Sequence, residues 1–234
     1  MNQTGNLYTR SYTVWESWNL LDFREQRESV LALGEQFTGE LKTVFDYQLS
    51  HGSQIAGATH HLISPTGETN ELYTAGRGVG LLIIDSDENA VAKPAVAMLS
   101  AMLIAGNSLI ICCDNSMLNG IIMTAGMGAG IPEGLIQFAP AEAYKSLFEH
   151  DIRTVAFVGE ESASWRMNKL LAARPEVIVP LVAETDFTSM PVCCDPMLVL
   201  RFITERTRTT NITAVGGNAM LLELSNEKTP KAAI

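Results

Sequence analysis

The spacing of apolar positions changes twice along the chain, and each change marks a new kind of element. Between residues 11 and 50, Trp15, Trp18 and Leu21, then Val30, Leu31, Leu33, Phe37, Leu41, Val44 and Phe45 recur at three- and four-residue steps. That is the period of one face of an α-helix. Arg24, Glu25, Arg27 and Glu28 fall on the solvated side. His51-Gly52-Ser53 is expected to end the helical part, with Gly52 as its C-cap. Residues 58–63 and 70–75 then read as two strands around Ser64-Pro65-Thr66-Gly67. Pro fixes one φ and Gly permits a positive one, so the pattern predicts a hairpin.

From 79 to 182 the pattern alternates. Strand-like runs (VGLLII, NSLIICC, GLIQFA, TVAFVG, EVIVPLV) are separated by helix-like runs at 90–105, 116–126, 142–149 and 162–173. Continuously apolar strands divided by amphipathic helices imply a parallel sheet covered on both faces. The expected fold is α/β: a doubly wound, Rossmann-like parallel sheet of about five strands, with N-terminal helices and a small antiparallel β-flap. After Glu184 an irregular stretch, Thr185 to Asp195, precedes a helix expected from Pro196 to about Thr207 with Asp195 as N-cap. Thr210 to Leu224 is expected to be extended. The domain reading is 1–57 for the N-terminal helices, 58–76 with 210–224 for the flap, 77–209 for the Rossmann-like domain, and 225–234 for a frayed tail.

With 47% hydrophobic and 18% charged residues, the 234-residue chain reads as globular. A net charge of -10 and a pI near 4.8 offer no basic field for nucleic acid or anionic membrane. The longest apolar stretch, residues 95–106, is too short to span a bilayer. No secretory leader pattern opens the sequence, and a cytoplasmic location is expected. The four cysteines form adjacent pairs, Cys112-Cys113 and Cys193-Cys194, and His60-His61 is adjacent too. Neighbouring residues on a strand face opposite sides, so none of these pairs makes a metal site, and packing roles are expected for the cysteines.

Three landmarks occur in order: Gly106-Asn107 in IAGNSLIICCDNS, Gly130-Ile131-Pro132-Glu133-Gly134 in AGIPEGLIQFAP, and Phe157-Val158-Gly159 in TVAFVGEES. Together they resemble the aldehyde dehydrogenase superfamily, and Trp18 and Arg27 fit that family's opening helices. PTGETNEL at 65–72, Gly76-Arg77-Gly78 and TAVGGNAMLL at 213–222 resemble the proline utilization A flavoenzymes. Long members of that family carry an extra C-terminal aldehyde-dehydrogenase-like domain, and residues from about 10 to 224 resemble it.

The resemblance implies a chemistry that this sequence does not supply. An active aldehyde dehydrogenase needs a thiolate nucleophile, an oxyanion donor, a general base and a nicotinamide site. The family's nucleophile lies in a domain inserted after the fifth strand, where this chain has only the stretch after Glu184. Cys193-Cys194 falls there, without the family's Gly-Gln approach and with no adjacent His or Lys to activate a thiolate. Where the family has Lys and Glu for the adenine ribose, this chain has Cys112 and Asn115. Where it has Ser after Phe-x-Gly, here Gly159 is followed by Glu160 and Glu161. Two carboxylates at a helix N-terminus satisfy its dipole and repel a diphosphate. Asp87-Glu88-Asn89 stands in the oxyanion region without the Trp-Asn-Phe-Pro pattern, with Asn89 expected as an N-cap. Glu184 lies near the general-base position without its glycines.

The resemblance therefore implies a structural module that uses no cofactor. Its flap would cover or assemble a catalytic domain through Pro65, Thr66, Gly67, Glu68, Asn70, Thr213, Gly216, Gly217 and Asn218. The expected partner is a second copy or a proline-catabolic dehydrogenase domain. The alternative is a residual pyrroline-5-carboxylate dehydrogenase or dinucleotide-binding module that would take NAD.

Overall fold

The computed structural model describes residues 3–65, 67–175 and 177–212. Thr213, Gly216, Gly217 and Asn218, like Thr66 and the expected tail, lie outside the described residues. The chain opens with three helices, α1 (Gln3–Trp18), α2 (Phe23–Gly34) and α3 (Gly39–Ala56). A capping box starts α2: Asp22 Oδ1 accepts the Glu25 amide at 2.8 Å, and the Glu25 carboxylate accepts the Asp22 amide at 3.2 Å. Helix α3 does not end at Gly52, as the sequence suggested, but runs to Ala56 with Gly57 as its cap. Gly52 serves packing instead. A Cβ there would lie 2.7 Å from Ile104 Cγ2 and 3.5 Å from Val199 Cβ.

A hairpin follows, of β1 (Thr59–Leu62) and β2 (Glu68–Gly76), antiparallel with Thr59 opposite Tyr73 and Leu62 opposite Asn70. Gly67 takes φ +90° in the turn, the left-handed region that glycine enters freely.

The large sheet is built from β3 (Val79–Asp85), β4 (Ser108–Cys112), β5 (Ile136–Ala139), β6 (Thr154–Gly159) and β7 (Leu181–Glu184). The order is β5-β4-β3-β6-β7, every neighbouring pair parallel. The helices between them are α4 (Ala92–Ile104), α5 (Ser116–Ala129), the short α6 (Tyr144–Leu147) and α7 (Glu161–Ala172). This is the expected doubly wound α/β fold. Alternate strand residues feed two cores. Leu82, Ile84, Leu109, Ile111 and Val158 pack with residues of α2 to α5, and Leu81, Ile83, Ile110, Val155 and Phe157 pack with residues of α7. Every residue from Pro94 to Ile104 is buried. Helix α4 is apolar all round because it lies between α3 and the sheet.

Asn107 pins this unit together. Its Oδ1 accepts the amides of Arg77 and Gly78 at 2.8 and 3.2 Å, and its Nδ2 donates to the carbonyls of Met102 and Phe202, each at 3.0 Å. Gly106 takes φ +91°, and a Cβ on Gly76 would sit 2.2 Å from the Gly106 carbonyl oxygen. The Gly-Asn landmark is thus a structural knot.

Two expected elements differ. The run EVIVPLV yields a strand only from Leu181, and Ile178 is 91% exposed. Pro180 has no N–H for the ladder and supplies only its carbonyl, to the Val155 amide at 3.4 Å. The helix expected over 196–207 is a single 3-10 turn, Leu198–Arg201, after which β8 (Ile203–Asn211) begins. Asp195 Oδ1 does accept the Met197 amide at 2.9 Å. Beyond the turn, however, Ile203, Thr204, Thr207, Thr209 and Thr210 are β-branched, and β8 pairs with β2 in a sheet of order β1-β2-β8. Contacts Gly67–Ile212, Asn70–Thr209 and Glu71–Arg208 run in opposite directions, so the pairing is antiparallel.

The chain divides into two compact units, residues 1–58 with 74–205, and residues 59–73 with 206–234. The first takes in the N-terminal helices together with the large sheet.

Candidate functional site

Strand order in the large sheet reverses between β3 and β6. In doubly wound sheets, ligands bind outside the carboxyl ends of the strands at such a reversal. Here Asp85 ends β3 directly opposite Gly159, which ends β6. Gly159 answers to packing: a Cβ would lie 2.6 Å from Phe157 Cζ and 3.1 Å from Asp85 Cβ. Glu160 is the N-cap residue of α7, with no hydrogen bond from its side chain to the helix, and Glu161 is in the first turn. Asp85 at the end of β3, and Asp87 and Glu88 directly after it, are exposed carboxylates as well. The positive end of the α7 dipole is thus neutralised by the chain's own acids.

The structure gives the ribose-binding positions other work. Cys112 is fully buried at the end of β4. Burial pushes its thiol up to about 12, with the neighbouring Cys113 and Asp114 adding to the effect. Cys113 packs in the opposite core, as adjacent strand residues must. Asn115 is the N-cap of α5, its Oδ1 accepting the Leu118 amide at 3.0 Å. Both are structural positions, and neither presents a charged donor to a ribose.

The stretch after β7 is organised by Glu184, which is 1% exposed. Its Oε1 accepts the amides of Thr185 and Asp186 at 3.0 and 3.1 Å, and its Oε2 those of Val192 and Cys193 at 2.9 and 3.0 Å. Four charge-assisted bonds fold residues 185–193 back on the strand end. From α3, Gln48 Nε2 donates to the carbonyls of Cys193 and Asp195 at 2.6 and 3.1 Å, and the Tyr47 hydroxyl donates to the Cys194 carbonyl at 3.0 Å. Cys193 is buried, and burial first, then the Glu184 carboxylate, drives its thiol pKa well above the usual range. Such a thiol is not a nucleophile at neutral pH. Cys194 is exposed.

Asn89 is not an N-cap. It is the first residue of a 3-10 turn, Asn89–Val91, whose N-cap is Glu88. It borders a cleft of about 600 Å³ with Thr38, Leu41, Lys93, Phe187 and Thr188. Neither Gln48 nor Lys93 stands out as functional in the sequence. Gln48 carried a signal, a polar residue on the apolar stripe of Phe45 and Leu49. Lys93 carried none, since one lysine at the start of a helix is ordinary.

In the second unit, Pro65, Gly67, Glu68 and Asn70 lie in the turn and on the start of β2. Pro65 accepts the Glu68 amide at 3.2 Å, Gly67 accepts the Ile212 amide at 2.7 Å, and the Asn70 amide donates to Ser64 Oγ at 2.8 Å. Arg208 Nε donates to Glu71 at 2.9 Å and holds that carboxyl below its usual range. His60 and His61 are exposed on β1. Among the described residues, no group of His, Cys, Asp and Glu could hold a metal ion, and no helix is long and apolar enough to cross a membrane.

No protein-family model matches the sequence, and no curated protein matches it. Solved structures do. A point mutant of proline utilization A from Bradyrhizobium japonicum is 22% identical with a TM-score of 0.66, and proline utilization A from Bdellovibrio bacteriovorus is 18% identical with a TM-score of 0.68. In each case 78% of this chain aligns with 22% of the other. A 3,6-anhydro-L-galactose dehydrogenase is 16% identical with a TM-score of 0.63, over 78% of this chain and 43% of that one. The chain thus spans about a fifth of the proline utilization A structures it matches. Its fold is the one it shares with these structures and with a putative aldehyde dehydrogenase from Burkholderia cenocepacia.

Proposed function

We propose that this chain is a structural, non-catalytic module of the aldehyde dehydrogenase kind, working in proline catabolism. It covers or assembles a catalytic dehydrogenase domain through the small sheet of β1, β2 and β8. One observation carries the reading: the two groups nearest to the roles of base and nucleophile are both committed elsewhere. The Glu184 carboxylate accepts four backbone amides, and the Cys193 thiol is buried against that carboxylate. A base needs a free lone pair and a nucleophile needs an accessible thiolate. The carboxylates around the switch point, Glu160 and Glu161 among them, support the same reading against a bound diphosphate.

The competing reading is a dinucleotide site at the β3/β6 switch point. The strand order favours it and the local charge opposes it. Calorimetric titration with NAD and NADH separates the two. No binding is expected at micromolar concentration, the range of working cofactor sites, and a micromolar Kd overturns the module reading. Mixing the chain with a pyrroline-5-carboxylate dehydrogenase should give a complex that Arg208→Glu weakens, because that change sets like charges together on β2 and β8.

A further inference from the structure

Helix α5 has no polar face of the usual kind. Its fourteen residues, SMLNGIIMTAGMGA, include no charged side chain, in a chain with a net charge of -10. Its inner side, Leu118, Ile122 and Ala125, is buried in the core. Its outer side is apolar as well: Met117 is 57% exposed, Met123 52%, Met127 79% and Ile121 36%. A helix that is apolar all round is normally buried. Helix α4 follows that rule within this chain, and α5 does not.

Two glycines sharpen the point. A Cβ on Gly120 or on Gly126 would meet nothing within 4 Å. Each glycine costs about 1 kcal/mol of helix stability relative to alanine, and among the described residues nothing uses the space it leaves. Beside Gly126 lies a groove of about 310 Å³ whose walls include Ile131, Ile136 and Phe138, with Glu133 among them.

We infer that the outer face of α5 is an interface between two copies of this chain, packed about a two-fold axis. Charge is the first reason for a second copy. Two chains of net charge -10 repel wherever charged surfaces meet; helix α5 itself carries no charge, and the one carboxylate lining the groove, Glu133, is paired with Arg10. Shape is the second. A two-fold contact must be self-complementary, and this face holds both a knob, Met127, and the groove beside Gly126 that a partner's Met127 fills. Polarity is the third: with the axis perpendicular to α5 the two helices lie antiparallel, so that the positive end of each dipole lies beside the negative end of the other. In size, the exposed methionines and Ile121 amount to roughly 400 Å² per copy, about half of the ~800 Å² that each partner buries in a standard interface. This contact uses a face separate from the small sheet and does not depend on the function proposed above.

Sedimentation velocity and light scattering on the full chain at micromolar concentration test it. The expected result is a dimer that Met127→Glu converts to monomer with an unchanged circular dichroism spectrum. Gly120→Leu guards against misfolding: it enters open space and raises helix propensity, so the fold should be at least as stable, yet its side chain holds the helices apart and should also give monomer. A wild-type monomer overturns the inference. So does a dimer that survives both substitutions, or one that is lost only on Arg208→Glu, which places the contact on the small sheet. Association only with some other protein, with no self-association, overturns it as well.

Discussion

Replacing Glu184 by Gln tests whether this carboxylate organises the chain after β7. Glutamine keeps one acceptor oxygen and puts an NH2 donor in place of the other. Two of the four amides that now point at the carboxylate, from Thr185, Asp186, Val192 and Cys193, would then face a donor in a site that is 1% exposed. A buried donor left unsatisfied costs about 1–3 kcal/mol. Two of them, less the desolvation penalty that the neutral side chain avoids, come to about 3 kcal/mol. A typical domain has about 5–15 kcal/mol in total, so the variant should still fold. With a urea m-value of roughly 2–3 kcal/mol/M, the midpoint should fall by about 1–1.5 M. Thiol labelling gives an independent reading. In the parent chain only Cys194 is exposed, while Cys112, Cys113 and Cys193 are buried, so one thiol should react fast. In Glu184→Gln the loop loosens, and Cys193 should become the second fast thiol. A midpoint shift under about 0.3 M with one fast thiol would refute the reasoning.

Gly52→Ala should destabilise the fold by about 1–2 kcal/mol in urea titration: its Cβ would lie 2.7 Å from Ile104 Cγ2, and overpacking costs more than the ~1 kcal/mol that alanine gains in helix propensity. Gln48→Leu should cost about 1–2 kcal/mol by stranding the carbonyls of Cys193 and Asp195, and its effect should be non-additive with Glu184→Gln because both hold one loop. Alkaline unfolding should carry the signature of Cys112, whose thiol burial lifts from 9.0 to about 12. The folded state keeps that proton after the unfolded chain has lost it, so stability is full below about pH 9 and falls by about 1.4 kcal/mol per unit above it. Cys193, whose thiol burial also raises, adds a slope of the same sign, so Cys112→Ser should lower the slope by about 1.4 kcal/mol per unit rather than abolish it in denaturation curves measured across the window.

Individual residues separate what was legible in the sequence from what was not. The large sheet could be read because strands covered on both faces must be apolar at every position. VGLLII and TVAFVG have that pattern whatever surrounds them. The hairpin could be read because Pro65 and Gly67 restrict and permit φ locally. Helix and strand were confused at 196–207, where Asp195 and Pro196 signal a helix start that the β-branched run from Ile203 overrides once β2 is available to pair. Gly52 was misread as a stop because a missing Cβ has two uses, and only the approach of Ile104 decides between them.

Glycine spacing, turn chemistry and hydrophobic period are local quantities, so the sequence by itself determined the α/β class, the five strands and the hairpin. What the chemistry-bearing groups do was decided by tertiary structure alone. Cys112 and Cys193 become inert through desolvation, a property of everything packed around a thiol. Asn115 is drawn into capping α5, and Glu184 gathers amides from residues as far along the chain as Cys193. The uncovered face of α5 likewise exists only as a difference between what the helix could bury and what the fold covers. Such properties belong to sets of residues distant along the chain, and their energies arise only when the folded backbone brings those residues into contact.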